Sequence, residues 1–182
     1  FIGNPMSTIE RYSQWNVDEI IVLDIGDPDG HDLRRDDLQQ QYAGRSFLDV
    51  LSEITKVCFM PLAVGGRIRS LDDFAVRLRA GADKCVVNTQ AIIDSKFVTD
   101  AAQMFGSQCI VVSIDAKRLE DGHYEVYSHD AKLPTGMTPA EWAGQCERAG
   151  CGEIFLNSID RDGTGEGYDC ELIRDVTAAV NI

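Results

Sequence analysis

The sequence contains no apolar run near the length that a bilayer span requires, and no signal peptide is read in it, so the cytoplasm is the expected compartment. Positive charge is scarce. Seventeen Lys and Arg stand against 30 Asp and Glu, a formal net charge of −13. That balance works against duplex nucleic acid or an anionic membrane as a general partner, because affinity for either rests on cations neutralising phosphates. A small anionic substrate stays open, since a local cluster of backbone N–H groups and one or two cations is enough to hold it. The six cysteines include no C-x-x-C pair, and Cys58, Cys85 and Cys109 lie in or beside apolar runs, which reads as small core residues. The three histidines, His31, His123 and His129, are scattered through polar stretches, so no metal cluster follows from spacing and no cofactor is implied. Long linkers and low-complexity segments are missing too, which makes residues 1–182 a single expected domain.

What is present suits a packed fold. The 182 residues are 44% hydrophobic and 26% charged, enough for one compact core. Short apolar runs alternate with amphipathic helical segments, the pattern of β-α units around a parallel sheet. Five strands are read: Glu19 to Asp24, Val57 to Val64, Lys84 to Asn88, Cys109 to Asp115 and Glu153 to Asn157. Most are apolar on both faces, which calls for helical cover. Ser70 is expected to cap a helix through Arg79, with Asp73 at N3 and Gly81 past the end. Asp94 is expected to cap the next, which Gly106 stops. Thr138-Pro139-Ala140-Glu141 combines a capping box with proline at N1, and Gly150 closes that helix. Arg45 to Thr55 and Asp169 to Val180 complete the helices, and the alternation around Asp121-Gly122 predicts a β-hairpin between Arg118 and Tyr127.

In parallel α/β folds the site lies at the carboxyl ends of the strands. The residues there are polar or glycine each time: Asp24, then Gly65 and Gly66, Asn88 and Thr89, Asp115, and Ser158 through Gly163. A glycine pair after a strand is either a phosphate-binding turn or simply a tight one. Asp115 is either a general acid or base on the rim, or a carboxylate that caps the following helix or pairs with Lys117. Glu19, Lys84 and Glu153 open three strands at the opposite face, as a salt-bridged floor or as a gate.

The motifs L-A-V-G-G, A-G-A-D-K-x-x-x-N-T, F-G-S-Q, S-I-D-A-K-R, P-T-G and G-E-I-x-L-x-S-I-D-R-D-G-T-x-x-G-Y-D, in this order and over nearly the whole chain, resemble the cyclase subunit of imidazole glycerol phosphate synthase. The resemblance implies a (β/α)8 TIM barrel, present here incompletely as strands 2 to 6, without barrel strand 1 and the last two strands. Such a barrel takes ammonia from a glutaminase partner and uses it to split and cyclise a ribulosyl-formimino aminoimidazole carboxamide ribonucleotide. Imidazole glycerol phosphate and an aminoimidazole carboxamide ribonucleotide are the products. On this likeness Asp115 matches the second catalytic aspartate, and the first belongs to the strand that is not in this sequence. Gly65, Gly66, Asn88, Thr89 and Gly163 match phosphate-site positions. Asp24, Asn157 and Asp162 fall at active-face, substrate-binding positions. Glu19, Lys84 and Glu153 match three of four gate residues at the ammonia entrance, and Asp83 and Gln108 match positions near the glutaminase interface.

Three departures from the pattern stand out: Arg67 replaces the third glycine of V-G-G-G-I, Asn157 replaces the threonine before S-I-D-R-D, and the loop through His31 to Asp37 is longer than in the histidine-pathway form. These are similar to a paralogue found with lipopolysaccharide and surface-sugar biosynthesis, thought to supply ammonia for sugar amidation. That paralogue is the alternative function. With five strands the chain is expected to be inactive and poorly stable alone, since unpaired edges would remain.

Overall fold

A computed structural model describes residues 5–25, 46–94 and 96–182. The chain divides into two compact units, one ending at Cys85 and one running from Val86 to Ile182.

The first unit is ordered α1 (Pro5–Gln14), β1 (Ile20–Leu23), α2 (Phe47–Ile54), β2 (Leu62–Gly65) and α3 (Leu71–Arg79), with β3 (Lys84–Val87) beginning at its end. Strands β1 and β2 pair in parallel, from Ile20 opposite Leu62 to Leu23 opposite Gly65. Every residue of β2 is buried, as a run apolar on both faces requires. Ile9 of α1, Leu51 and Ile54 of α2, and Ile20, Leu62 and Val64 of the strands form the core. Helices α2 and α3 start at full capping boxes, Ser46 with Asp49 and Ser70 with Asp73.

The second strand is shorter than its apolar run predicts. The amides of Val57 and Cys58 both donate to the Ile54 carbonyl at the end of α2, so they close that helix and do not enter a ladder. Phe59 is then left 88% exposed, and the paired register begins at Leu62, with the Pro61 carbonyl accepting from the Ile20 amide at 3.0 Å.

In the second unit, α4 (Thr89–Ile93) and α5 (Phe97–Phe105) are followed by a 3₁₀ turn (Ser107–Cys109), β4 (Ile110–Arg118), β5 (Tyr124–Ser128) and β6 (Leu133–Pro134). Then come α6 (Pro139–Ala149), β7 (Glu153–Ser158) and α7 (Cys170–Ala179). Strands β4 and β7 are parallel neighbours, with Val111 opposite Glu153 and Asp115 opposite Asn157. The expected hairpin forms between β4 and β5, antiparallel with Arg118 opposite Tyr124, and it carries β4 three residues past Asp115. Thr138 caps α6 reciprocally with Glu141, and Gly150 ends it in the left-handed region at φ 103°.

One cap is corrected. Asp94 ends the short α4 and accepts from the Lys96 amide at 3.0 Å, while Lys96 occupies the N-cap position of α5 and gives no side-chain cap. The five strands read from the sequence are β1, β2, β3, β4 and β7, and the other two are the hairpin excursion. Each unit repeats the β-α arrangement of an incomplete (β/α)8 barrel, and the fold class is α/β, as expected.

Candidate active site

Asp115 lies near the carboxyl end of the parallel part of β4, directly across from Asn157 on β7. Parallel residues in register project to the same face of a sheet. The Asn157 amide Nδ2 donates to Asp115 Oδ1 at 3.0 Å, and the Asn88 amide Nδ2 donates to Asp115 Oδ2 at 2.8 Å. Neither of the bland roles for this carboxylate is seen. Thr138 caps the next long helix, and Lys117 sits over the Tyr127 ring, its ammonium 5.8 Å from the centroid.

Asn88 and Thr89 stand at the junction of β3 and α4, and the carbonyl Oδ1 of Asn88 is buried with no partner among the described residues. Thr89 Oγ1 accepts the backbone N–H of His129 at 3.1 Å. His129 reaches it through a turn in which His129, Asp130 and Ala131 all adopt the left-handed region, which is uncommon for three successive residues with a Cβ. No sequence signal marked that turn.

The loop after β7 is held from several sides. The Arg118 amide donates to Asp160 Oδ2 at 2.7 Å, and the Asp162 amide donates to the Ser158 carbonyl at 2.9 Å. Asp162 and Gly163 are exposed, and Gly163 takes φ 71°. Together with Asn157, Ser158, Arg161 and Asp169 they line an open cleft of about 330 Å³. Asp169 is the residue here that sequence reasoning treated only as a helix boundary. It is 9% exposed, caps α7 by accepting the Leu172 amide, and accepts from Ser158 Oγ at 3.3 Å. The Tyr124 hydroxyl lies at 2.9 Å and Arg161 Nε at 3.8 Å. The signal for it was the last letter of G-Y-D in the longest motif.

In the first unit the glycine pair closes β2. Gly66 has φ 89°, and a Cβ on it would run into the backbone carbonyl of Asp24, so close approach explains the glycine. The Asp24 amide donates to the Gly65 carbonyl at 2.9 Å, and buried Arg77 takes the Gly66 carbonyl at 2.7 Å. Arg67 also adopts the left-handed region, at φ 53°, and its Nε is 3.7 Å from Asp24 Oδ2. Asp24, Gly65 and Gly66 are therefore gathered at one strand edge, with a cation beside them.

Of the floor charges, Glu19 and Lys84 are brought together, Nζ to Oε2 at 2.9 Å in a part-exposed pair. Glu153 opens β7 in the second unit. Asp83 exchanges two bonds with Leu62, its Oδ2 accepting at 2.8 Å and its amide donating at 2.9 Å, which fixes the start of β2. Gln108 is exposed in the 3₁₀ turn before β4. The loop from His31 to Asp37 lies outside the described residues. Among the described residues no group of three or more His, Cys, Asp or Glu is placed to hold a metal ion, and no helix is long and apolar enough to cross a membrane.

The sequence model of the histidine biosynthesis protein family matches residues 1–182. A protein of Dehalococcoides mccartyi strain BAV1, named imidazole glycerol phosphate synthase subunit HisF, is 42% identical over 180 residues, covering 99% of this chain and 66% of that protein. The protein of the same name from strain CBDB1 has the same identity and coverage. The chain thus spans just under two thirds of the length of these relatives.

Proposed function

The chain belongs to the histidine biosynthesis protein family, and from that premise we infer that its full-length protein is an ammonia-dependent cyclase and lyase. Its substrate would be a ribulosyl-formimino aminoimidazole carboxamide ribonucleotide, converted to imidazole glycerol phosphate and an aminoimidazole carboxamide ribonucleotide. The observation that carries this reading is Asp115, a carboxylate near the carboxyl end of the parallel part of β4 with both oxygens held by side-chain amides. Such a group is oriented and in hydrogen-bonding form to move a proton on a bound substrate.

Around it the roles divide by chemistry. Gly65, Gly66, Asn88, Thr89 and Gly163 supply backbone N–H groups and short polar side chains suited to phosphate oxygens. Asp24 and Asp162 offer carboxylates to substrate hydroxyls. Glu19, Lys84 and Glu153 are assigned to an ammonia gate on the resemblance, and within the first unit Glu19 and Lys84 form an ion pair. The partner is a glutaminase subunit docking near Asp83 and Gln108, each an exposed residue. The names of the two relatives support this reading.

The second reading, an ammonia-channelling partner in amidation of a lipopolysaccharide or other surface sugar, rests on one observation. Arg67 sets a cation against Asp24 where the resemblance calls for a bare backbone. It predicts glutaminase binding without cyclisation.

The test is Asp115→Asn in the full-length protein, assayed with saturating ammonium. Turnover should fall by at least about a hundredfold, the usual contribution of a positioned acid or base, while the circular dichroism spectrum stays unchanged. Full turnover in that variant would overturn the assignment of Asp115.

A further inference from the structure

We propose that Asn157 is a positioning residue that acts through Asp115, and not the substrate-binding residue that its place in the motif implies. The inference rests on the reading of Asp115 as the group that moves the proton. Three observations carry it. Asn157 is opposite Asp115 in the β4–β7 register, so the two side chains share a face. Among the described residues its side-chain amide donates to Asp115 Oδ1, at 3.0 Å. The other oxygen is taken by Asn88 at 2.8 Å.

The geometry has a chemical consequence. An aspartate with one donor rotates about its last torsion, which is broad and soft. With one donor on each oxygen the carboxylate plane is fixed, and each oxygen keeps a second lone pair for a reacting proton. The donors are neutral amides. They orient the group without the stronger, charge-assisted hold that a lysine or arginine would exert. Neither amide can itself accept or release a proton near neutral pH, so neither can stand in for Asp115 as the proton carrier. Holding a reacting group in line is worth orders of magnitude in rate, whereas one lost donor costs only part of it.

The clamp is asymmetric. Asn88 leaves its Oδ1 buried without a partner among the described residues. Asn157 sits on a strand, fixed by pairing along its whole length from Glu153 to Ser158. It is therefore the stiffer of the two donors, and the one whose loss should free the carboxylate most.

The experiment uses the full-length protein with saturating ammonium and three substitutions. Asn157→Leu keeps the branching at Cγ and removes the donor: kcat should fall about tenfold to a hundredfold with KM within about twofold, as expected when one hydrogen bond to a charged group is lost. Asn157→Thr restores a donor and should recover most of that loss. Asn157→Asp puts a second carboxylate against Asp115. It should be nearly inactive at neutral pH and regain activity relative to the parent on acidification, when the added carboxyl gains a proton to donate. A purely structural role would give neither the rescue nor that pH response. A raised KM at unchanged kcat in Asn157→Leu would overturn the proposal in favour of substrate binding. Crystal structures of the parent and Asn157→Leu give an answer independent of turnover: the Asp115 carboxylate should turn away from its parent orientation. An unchanged carboxylate overturns the clamp, whereas an inactive parent with a turned carboxylate would count against the proposed reaction alone.

Discussion

The Tyr124 hydroxyl lies 2.9 Å from both carboxylate oxygens of Asp169. This pair joins the hairpin strand β5 to the cap of α7, and Ser158 and Arg161 bring the S-I-D-R-D-G loop to the same carboxylate. Burial, the hydrogen bond and the adjacent negative charge together push the Tyr124 phenol up to about 12. Burial works to raise the Asp169 carboxyl, but bonds from Tyr124, the Leu172 amide and Ser158 and the nearby Arg161 outweigh it and hold it below the ordinary carboxylate range.

Tyr124→Phe removes one donor and leaves a buried carboxylate short of a partner, so it should cost about 2 kcal/mol of stability. Urea unfolding of the full-length protein measures this. A loss below about 0.5 kcal/mol would mean that the remaining bonds satisfy Asp169 unaided.

The pH dependence of stability follows with a definite sign. Asp169 has a lowered folded value, so its contribution is present above the unfolded value of about 4 and is lost as pH falls below it. Tyr124 has a raised one, so its contribution is present below about 10 and is lost as pH rises from there toward about 12. Melting scans should show the alkaline loss flattened in Tyr124→Phe, and an unchanged alkaline limb would separate the effect from this phenol.

Gly66→Ala should destabilise by more than about 2 kcal/mol, because the left-handed backbone at φ 89° and the contact with the Asp24 carbonyl act together. Gly122→Ala is the control. It shares a positive φ but has open space around it, so only the backbone cost of about 1 kcal/mol applies. Equal losses at both positions would remove the argument from close approach.

Lys84→Met breaks the part-exposed ion pair with Glu19, for which surface pairs suggest no more than about 1 kcal/mol of stability. If the pair gates ammonia, glutamine-driven turnover in the assembled complex should fall several-fold more than ammonium-driven turnover. Equal decreases with both nitrogen sources would leave the pair as a structural floor.

Much of this was legible where the governing contacts are local. Ser70 with Asp73 and Thr138 with Glu141 were readable as capping boxes because the partners are three residues apart. The Asp121-Gly122 hairpin was readable for the same reason. The second strand began late because the amides of Val57 and Cys58 answer to Ile54, a competition between helix end and ladder that an apolar run does not reveal. Asp94 lost its expected cap to the short helix α4, which five residues of sequence did not announce. At the site, Asp115 could be named from its strand end, but its partners lie 27 and 42 residues away and the Tyr124–Asp169 pair is separated by 45. Asn157 meets Asp115 only through the parallel β4–β7 register, so it was readable as a departure from a motif and not as a clamp.

The most direct measurement is turnover of the ribulosyl-formimino ribonucleotide by the full-length protein under saturating ammonium, followed by absorbance. The expected result is a rate on the order of 1 per second or faster, typical of a working enzyme, with formation of imidazole glycerol phosphate. No turnover from folded protein that still binds a glutaminase subunit would contradict it and move the function to ammonia delivery for a surface sugar.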